Sequence, residues 1–454
     1  LNWKKLLSRT LLGEEKKNSG NKSDGRSEFQ RDFDRIVFSS AFRRLQDKTQ
    51  VFPLPESDFV HNRLTHSLEV SCVGRSLGNL VGDGILQRNK NLKKYFTKFH
   101  FGEIVAAACL AHDIGNPPFG HSGEDSISEY FKNGNGKFFE NELNEKQWND
   151  LTRFEGNAQG FRILTRLQNP NINGGLRLTS ATLAAFTKYP KESSVIKNEK
   201  LKTNKIYKKF GFFQSEKELF KNVADEVGLK QIFIDENILW YQRHPLTFLV
   251  EAADDICYHI MDLEDGYRLG LLSFAETEDL LFPLLNKSKL KSYKQRNNND
   301  KIGYLRAKSI SSLVYQLADV FLDEEKNIID GTLERDLISI VPANKDLKTI
   351  ENISIKKIYS YESVVEREAA GYEVLAGLLD TFITPVNEAA KNKISPKSKT
   401  ILKVLPAEFL AANENSGNNL YLRLLNIIDF VSGMTDSYAV SLYRKIKGIS
   451  LPGK

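Results

Sequence analysis

The sequence predicts an all-α fold, dominated by helices and carrying a few short strands. Helical periodicity recurs in the long apolar segments, and strand signals are few and brief. No Pro/Gly/Ser-rich linker is long enough to divide the chain into independent units.

Taken in order, residues 1–21 are basic and polar and lack an apolar core of signal-peptide length, so residues 1–25 read as a basic N-terminal segment. Leu64, Leu68, Val73, Leu77 and Leu80 form an apolar helical stripe around His66. Residues 104–110 are nearly all small or apolar, which predicts a helix buried on every side, ended by Gly115, Pro117 and Pro118. Residues 248–263, 369–382 and 420–443 supply further helix. Residues 50–53 and 210–213 are the best strand candidates, enough for a small hairpin. Residues 26–395 then form the core, with a lysine-rich insertion at about 286–301. Residues 396–454 form a C-terminal helical portion packed on it, with 395–400 as the nearest approach to a boundary.

The 454 residues are 41% hydrophobic and 27% charged, which is ordinary for a globular protein. No apolar run reaches the ~18 residues of a membrane span, so a membrane partner is not expected. Cys72, Cys109 and Cys257 are odd in number, far apart and in predicted core helices. They read as buried reduced thiols in a cytoplasmic protein. The net charge of +6 is uneven, with lysines clustered at 197–209 and again at 287–296, the second running into Asn297-Asn298-Asn299-Asp300 as a mobile surface insertion.

Four side chains stand out: His66, the adjacent pair His112-Asp113, and Asp254, each on or at the end of a predicted buried helix. Two imidazoles and two carboxylates suit a hard or borderline divalent metal: Mg²⁺ or Mn²⁺ first, with Fe, Ni, Co or Zn also compatible. Asp254, Tyr258 and Asp262 are spaced i, i+4 and i+8 and so line one helix face. Three polar groups among Leu249, Ile256 and Ile260 are costly to bury unless a metal or ligand pairs with them. After His112-Asp113, a loop stiffened by two glycines and two prolines leads to His121, with Glu124 three residues on. That spacing makes a base–orienter pair, the carboxylate holding one ring nitrogen and leaving the other to move a proton. His61, His100, His244 and His259 have no role on this reading, and His244, before Pro245, reads as structural.

The His66, His112-Asp113, Asp254 pattern resembles the HD superfamily of metal-dependent phosphohydrolases. The surrounding segments are similar to the deoxyguanosinetriphosphate triphosphohydrolase (dGTPase) family: Phe42-Arg43-Arg44-Leu45-Gln46-Asp47-Lys48-Thr49-Gln50-Val51, Arg63-Leu64-Thr65-His66-Ser67-Leu68-Glu69-Val70, Lys188-Tyr189-Pro190 and Arg243-His244-Pro245-Leu246, with residues 111–124, 154–159, 251–258 and 436–448. The comparable stretch Arg153-Phe154-Glu155-Gly156-Asn157 lacks the further histidine of some nucleotide hydrolases of the superfamily, which leaves His121 to carry the proton chemistry.

The resemblance implies hydrolysis of a deoxynucleoside triphosphate at the α-phosphorus, releasing deoxynucleoside and inorganic triphosphate. It implies Arg63 and Tyr258 at the phosphates, Lys188, Tyr189 and Lys209 as a triphosphate clamp, Gln50 and Asp262 reading the sugar 3′-hydroxyl, and Tyr372 near the base. A triphosphate carries roughly four negative charges, which such a cationic clamp would disperse. The resemblance further implies a homo-oligomer, a hexamer or dimer-built assembly, and in some members a regulatory nucleotide. Two other readings stand beside it: another HD phosphohydrolase, such as a phosphodiesterase or guanosine-tetraphosphate hydrolase, and a nucleic-acid-binding protein using the basic clusters. Weak single-stranded DNA binding also fits as an added property.

Overall fold

A computed structural model describes residues 1–14, 25–52, 60–193, 209–233, 238–285, 293, 295–410 and 419–450. The chain is 69% helical, with no sheet among these residues, as the periodicity requires. The helices that frame the site are, in chain order, α1 (Glu28–Val37), α2 (Arg63–Arg88), α3 (Lys98–Ala111), α4 (His121–Lys132), α5 (Thr247–Arg268), α6 (Asn298–Asp330), α7 (Asn344–Ser354), α8 (Glu362–Ala390), α9 (Leu420–Ser432) and α10 (Asp436–Ile446). No helix among the described residues is long and apolar enough to cross a membrane.

Helix α2 begins where the Asn62 side chain accepts from the Thr65 amide and Thr65 returns a bond to the Asn62 amide, which satisfies two orphan donors. One face of α2 is small: a Cβ on Gly78 would stand 2.8 Å from the Gly102 Cα, and one on Gly74 would stand 2.5 Å from Cys109 Sγ. Glycine therefore lets α2 and α3 approach closely, and that approach sets the separation of His66 and His112. Residues 104–111 of α3 are buried without exception. The apolar stripe differs from expectation, because Leu68 is 39% exposed and Cys72 is exposed too. The rest of the stripe holds, with Val73 and Leu77 buried and Leu64 and Leu80 packed against the core, while His66, Val70 and Val81 widen the buried face and the glycine ridge meets α3.

Two apolar clusters hold the molecule together. One gathers residues of α1, α2, α3, α5 and α6, and the other joins α4 to α8, α9 and α10. The N-terminal segment is more than a polar arm, for Trp3, Leu6, Leu7 and Leu12 are buried in the first cluster. The expected hairpin is absent among the described residues. Residues 50–52 form bends, Pro53 lies outside the described residues, and Phe212 makes a single isolated bridge to Glu192. The aromatic run at 210–213 is buried through ring packing, with Phe212 stacked on Phe220 at 4.6 Å, and not through strand pairing. Asn297-Asn298-Asn299-Asp300 was expected as insertion but opens α6, the Asn297 side chain capping the Asp300 amide at 2.9 Å. Most of both lysine clusters (197–208 and much of 287–296) lies outside the described residues. The helical stretch 420–443 is broken into α9 and α10, with Thr435 capping α10.

Candidate active site

His66 from α2, His112 at the end of α3 and Asp254 from α5 converge, each offering a ligand atom within 4.8 Å of the others. His66 Nε2 lies 3.2 Å from Asp254 Oδ1, and His112 Nε2 lies 3.4 Å from the same oxygen. His112 Nδ1 is 2.7 Å from the Cys109 carbonyl, so it carries the proton and donates it there. That commitment fixes the tautomer and leaves Nε2 bare for a metal. Two imidazole nitrogens and a carboxylate oxygen gathered at one point suit a divalent cation, and this group fits the metal expected from the sequence.

Asp113 adjoins this trio. One oxygen is 3.5 Å from His112 Nε2 and accepts from Asn116 Nδ2 at 2.6 Å, while the other accepts from Arg63 at 2.6 Å. Burial alone would raise its pKa, but the Arg63 guanidinium and the His112 ring outweigh burial and hold the carboxyl well below the usual carboxylate range. Asp254 is held low in the same way: burial opposes its charge, and Lys188 and His112 overcome it. Lys188 Nζ donates to Asp254 Oδ2 at 2.7 Å, on the oxygen that the histidines leave free.

The loop after α3 turns sharply enough that Phe119 takes φ 65°, rare for a bulky side chain, and Gly120 follows at φ 60°. Gly115 is required by contact: a Cβ there would stand 2.1 Å from the Gly156 carbonyl. The turn delivers His121 to the first residue of α4, with its side chain 82% exposed and Nδ1 2.7 Å from Glu124 Oε2. Glu124 is buried, and its other oxygen accepts from the Gly156 amide at 2.6 Å. The hydrogen bond to Glu124 and the charge of Glu124 raise the His121 pKa. Burial works against the Glu124 charge, but the bond from His121 holds its pKa down.

Around this frame stand the groups carried over from the resemblance. Lys209 Nζ lies 3.5 Å from Glu155, a buried carboxyl pushed up to about 7 by burial and by Glu124. Tyr189 follows Lys188 and has its hydroxyl pushed up to about 12, chiefly by burial. On α5, Tyr258 and Asp262 follow Asp254 at one-turn intervals. Asp262 is buried and pushed up to about 8, burial outweighing the hydrogen bond that it accepts from Tyr359. Gln50 has a buried Oε1 without a hydrogen-bond partner among the described residues. Tyr372 on α8 is 42% exposed and engages α4 through its backbone carbonyl, which accepts from Ser126 at 3.1 Å.

Four residues outside the expected site support it. Tyr359 donates to Asp262 at 2.6 Å, and its ring stacks on Tyr258. Asp436, at the start of α10, accepts from the Phe119 amide at 3.1 Å and from the Thr49 hydroxyl at 2.8 Å. Buried Lys48 donates to the carbonyls of Asn116 (2.6 Å) and Ser432 (3.0 Å), and burial pushes its pKa down to about 7. Asn116 is the fourth, through its bond to Asp113. The motif segments flagged Lys48, Asn116 and Asp436 by place alone, while Tyr359 had no signal. His244 is structural as expected: fully buried, with Nε2 3.0 Å from the Leu6 carbonyl.

Comparison with known proteins bears on this geometry. Residues 63–149 match the HD domain family, and residues 341–445 match the phosphohydrolase-associated domain. The chain is 45% identical to a deoxyguanosinetriphosphate triphosphohydrolase-like protein of Synechocystis sp., over 99% of this chain and 100% of the relative. It is 40% identical to a protein of the same description from Pseudomonas aeruginosa, over the full length of both. It is also 31% identical to the deoxyguanosinetriphosphate triphosphohydrolase of Yersinia enterocolitica, over 92% of this chain and 93% of that one.

Proposed function

We propose a function from one premise: the chain belongs to the deoxyguanosinetriphosphate triphosphohydrolase-like family of HD-domain hydrolases. The reaction we assign is hydrolysis of a deoxynucleoside triphosphate, dGTP or several dNTPs, at the α-phosphorus to deoxynucleoside and inorganic triphosphate. One observation supports it above the others. Three cations stand at the site, each paired with a carboxylate: Lys188 with Asp254, Arg63 with Asp113 and Lys209 with Glu155 beside the His121–Glu124 pair. A polyphosphate is the ligand whose charge such cations match.

Each residue then has a task. His66, His112 and Asp254, with Asp113 beside them, would hold Mg²⁺ or Mn²⁺, which when bound polarises a phosphoryl oxygen and acidifies water. Lys188, Arg63 and Lys209, with Tyr189 and Tyr258, hold the phosphate chain and disperse its charge. His121, kept protonated by Glu124, gives its proton to the departing 5′-oxygen. Gln50 and Asp262 hold the 3′-hydroxyl, and a pocket closed on that side leaves a 2′-hydroxyl no room. Tyr372 stands at the base end. A homo-oligomer, a regulatory dNTP and weak single-stranded DNA binding belong to the same reading, as does a cytoplasmic location.

The test is product analysis by ion-exchange chromatography after incubation with each dNTP, alone and in pairs, with Mg²⁺ or Mn²⁺ and beside Asp254→Ala. Deoxynucleoside and triphosphate, absent with Asp254→Ala, are the expected products. Turnover only with mixed nucleotides adds the regulatory site. Deoxynucleoside monophosphate and pyrophosphate, or no turnover, would replace this reading with that of another HD phosphohydrolase.

A further inference from the structure

Helix α7 does not stop cleanly at Ser354 but runs into a π-helical turn, Ile355–Tyr359. Such turns carry an extra residue and recur at functional sites, because the widened register re-aims the side chains beyond it. Here the two residues at its end meet one face of α5. Ile358 is buried against Gly266, where a Cβ would stand 2.8 Å from Ile358 Cδ1. Tyr359 comes next and reaches one and two turns back along that face. Its hydroxyl donates to Asp262 Oδ2 at 2.6 Å, and its ring stacks on Tyr258 with centroids 5.5 Å apart and planes at 23°. Asp262 Oδ1 takes no hydrogen bond from the described residues.

We infer that Tyr359 is the positioning residue for the sugar subsite: it fixes Asp262 and Tyr258 in one geometry and so sets the preference for a substrate bearing a 3′-hydroxyl. The inference rests on the sugar-reading role proposed for Asp262. A buried carboxyl with a single polar tether has one preferred rotamer while the tether lasts. Tyr359 occupies Oδ2 and holds the plane of the group, which leaves Oδ1 to the ligand. The stack on Tyr258 fixes the next turn of α5 in the same contact. Tyr359 touches no reacting atom, so its effect falls on binding of the sugar and not on the bond-breaking step.

The experiment compares kcat and KM for a dNTP and for its 2′,3′-dideoxy counterpart in the full chain. Tyr359→Phe keeps the ring stack and removes only the hydroxyl. The expected result is a KM for the dNTP raised about tenfold, the worth of one hydrogen bond to a carboxyl. The dideoxy substrate keeps its wild-type KM, and kcat is unchanged for both. Tyr359→Phe combined with Asp262→Asn should lose no more than Asp262→Asn alone. Gly266→Ala is a second variant, which displaces Ile358 and tilts the π-turn without touching Asp262. It should narrow the preference in the same way even where Tyr359→Phe folds poorly. Equal losses on both substrates, or no loss on either, overturn the inference while leaving the proposed reaction intact. A wild-type protein that turns over neither substrate removes both.

Discussion

His121 Nδ1 stands 2.7 Å from Glu124 Oε2, and the carboxylate is itself anchored by the Gly156 amide. The pair is therefore built from below: Glu124 is buried and fixed, and His121 extends from it into solvent. The bond and charge of Glu124 raise the imidazole pKa, so the ring stays protonated to higher pH than a free histidine. In the proposed role of general acid it loses function as pH rises through that raised pKa. Glu124→Gln removes the charge, lowers the pKa and should move the alkaline fall of kcat to lower pH. His121→Ala should remove that limb and cost about 10²–10⁴-fold in kcat. A pH–rate profile of the three proteins decides it, and an unmoved alkaline limb in Glu124→Gln would deny His121 the role.

The convergence of His66, His112 and Asp254 predicts metal-linked stability that does not depend on turnover. A cation bound to the folded state alone stabilises it by about 2.7 kcal/mol at a hundredfold excess over its dissociation constant. Chelator-treated protein should gain melting temperature on titration with Mn²⁺, and Asp254→Ala should gain none. A variant that responds as the wild type does would place the cation elsewhere.

The balance between what could and could not be read from the sequence follows from range. Helix periodicity is local, so α2, α3, α5 and α8 were legible, as were the spacings His112-Asp113, His121 to Glu124 and Asp254 to Asp262. Which helix face meets which neighbour is not local. Of the expected stripe only Leu68 was misplaced, because the Gly74, Gly78 and Gly82 ridge determines the contact with α3, and glycine carries no apolar signal. Tyr359 and Asp262 are 97 positions apart and were invisible as a pair. The aromatic run at 210–213 has strand composition, yet its rings are buried against one another and against Phe220 and Phe154, with no partner strand among the described residues.

His61 lies between two carboxylates, with Nδ1 2.7 Å from Asp265 and Nε2 3.2 Å from Glu69, and so links the start of α2 to α5. Burial opposes its charge, but the two acids outweigh burial and push its pKa up to about 10, from an unfolded value near 6.5. The folded-state value is the higher, so the contribution to stability is complete below pH 6.5 and disappears as pH rises through 10. His61→Gln should cost about 1.5–3 kcal/mol at pH 6 and progressively less between pH 6.5 and 10. Urea midpoints of both proteins across that range measure the difference, and a gap that widens with pH would contradict the assignment.

Asp436 ties the loop that leads to His121 to the segment that carries Gln50, the residue proposed to read the sugar. One oxygen accepts from the Phe119 amide, two residues before His121, and the other accepts from the amide and hydroxyl of Thr49, next to Gln50. Phe119 is held at positive φ, a conformation that a phenylalanine abandons when its tether is cut. Asp436→Ala leaves those donors buried and unpaired, at about 1–3 kcal/mol each before relaxation. It also frees His121 and Gln50 at once. Misplacement by about 1 Å costs up to 10²-fold in rate, so kcat should fall and KM should rise together, unlike the KM-only effect expected of Tyr359→Phe. Stopped-flow or steady-state kinetics beside urea unfolding separate the two effects. A folded Asp436→Ala protein with wild-type kcat would show that the strained turn at Phe119 holds its shape without the carboxylate.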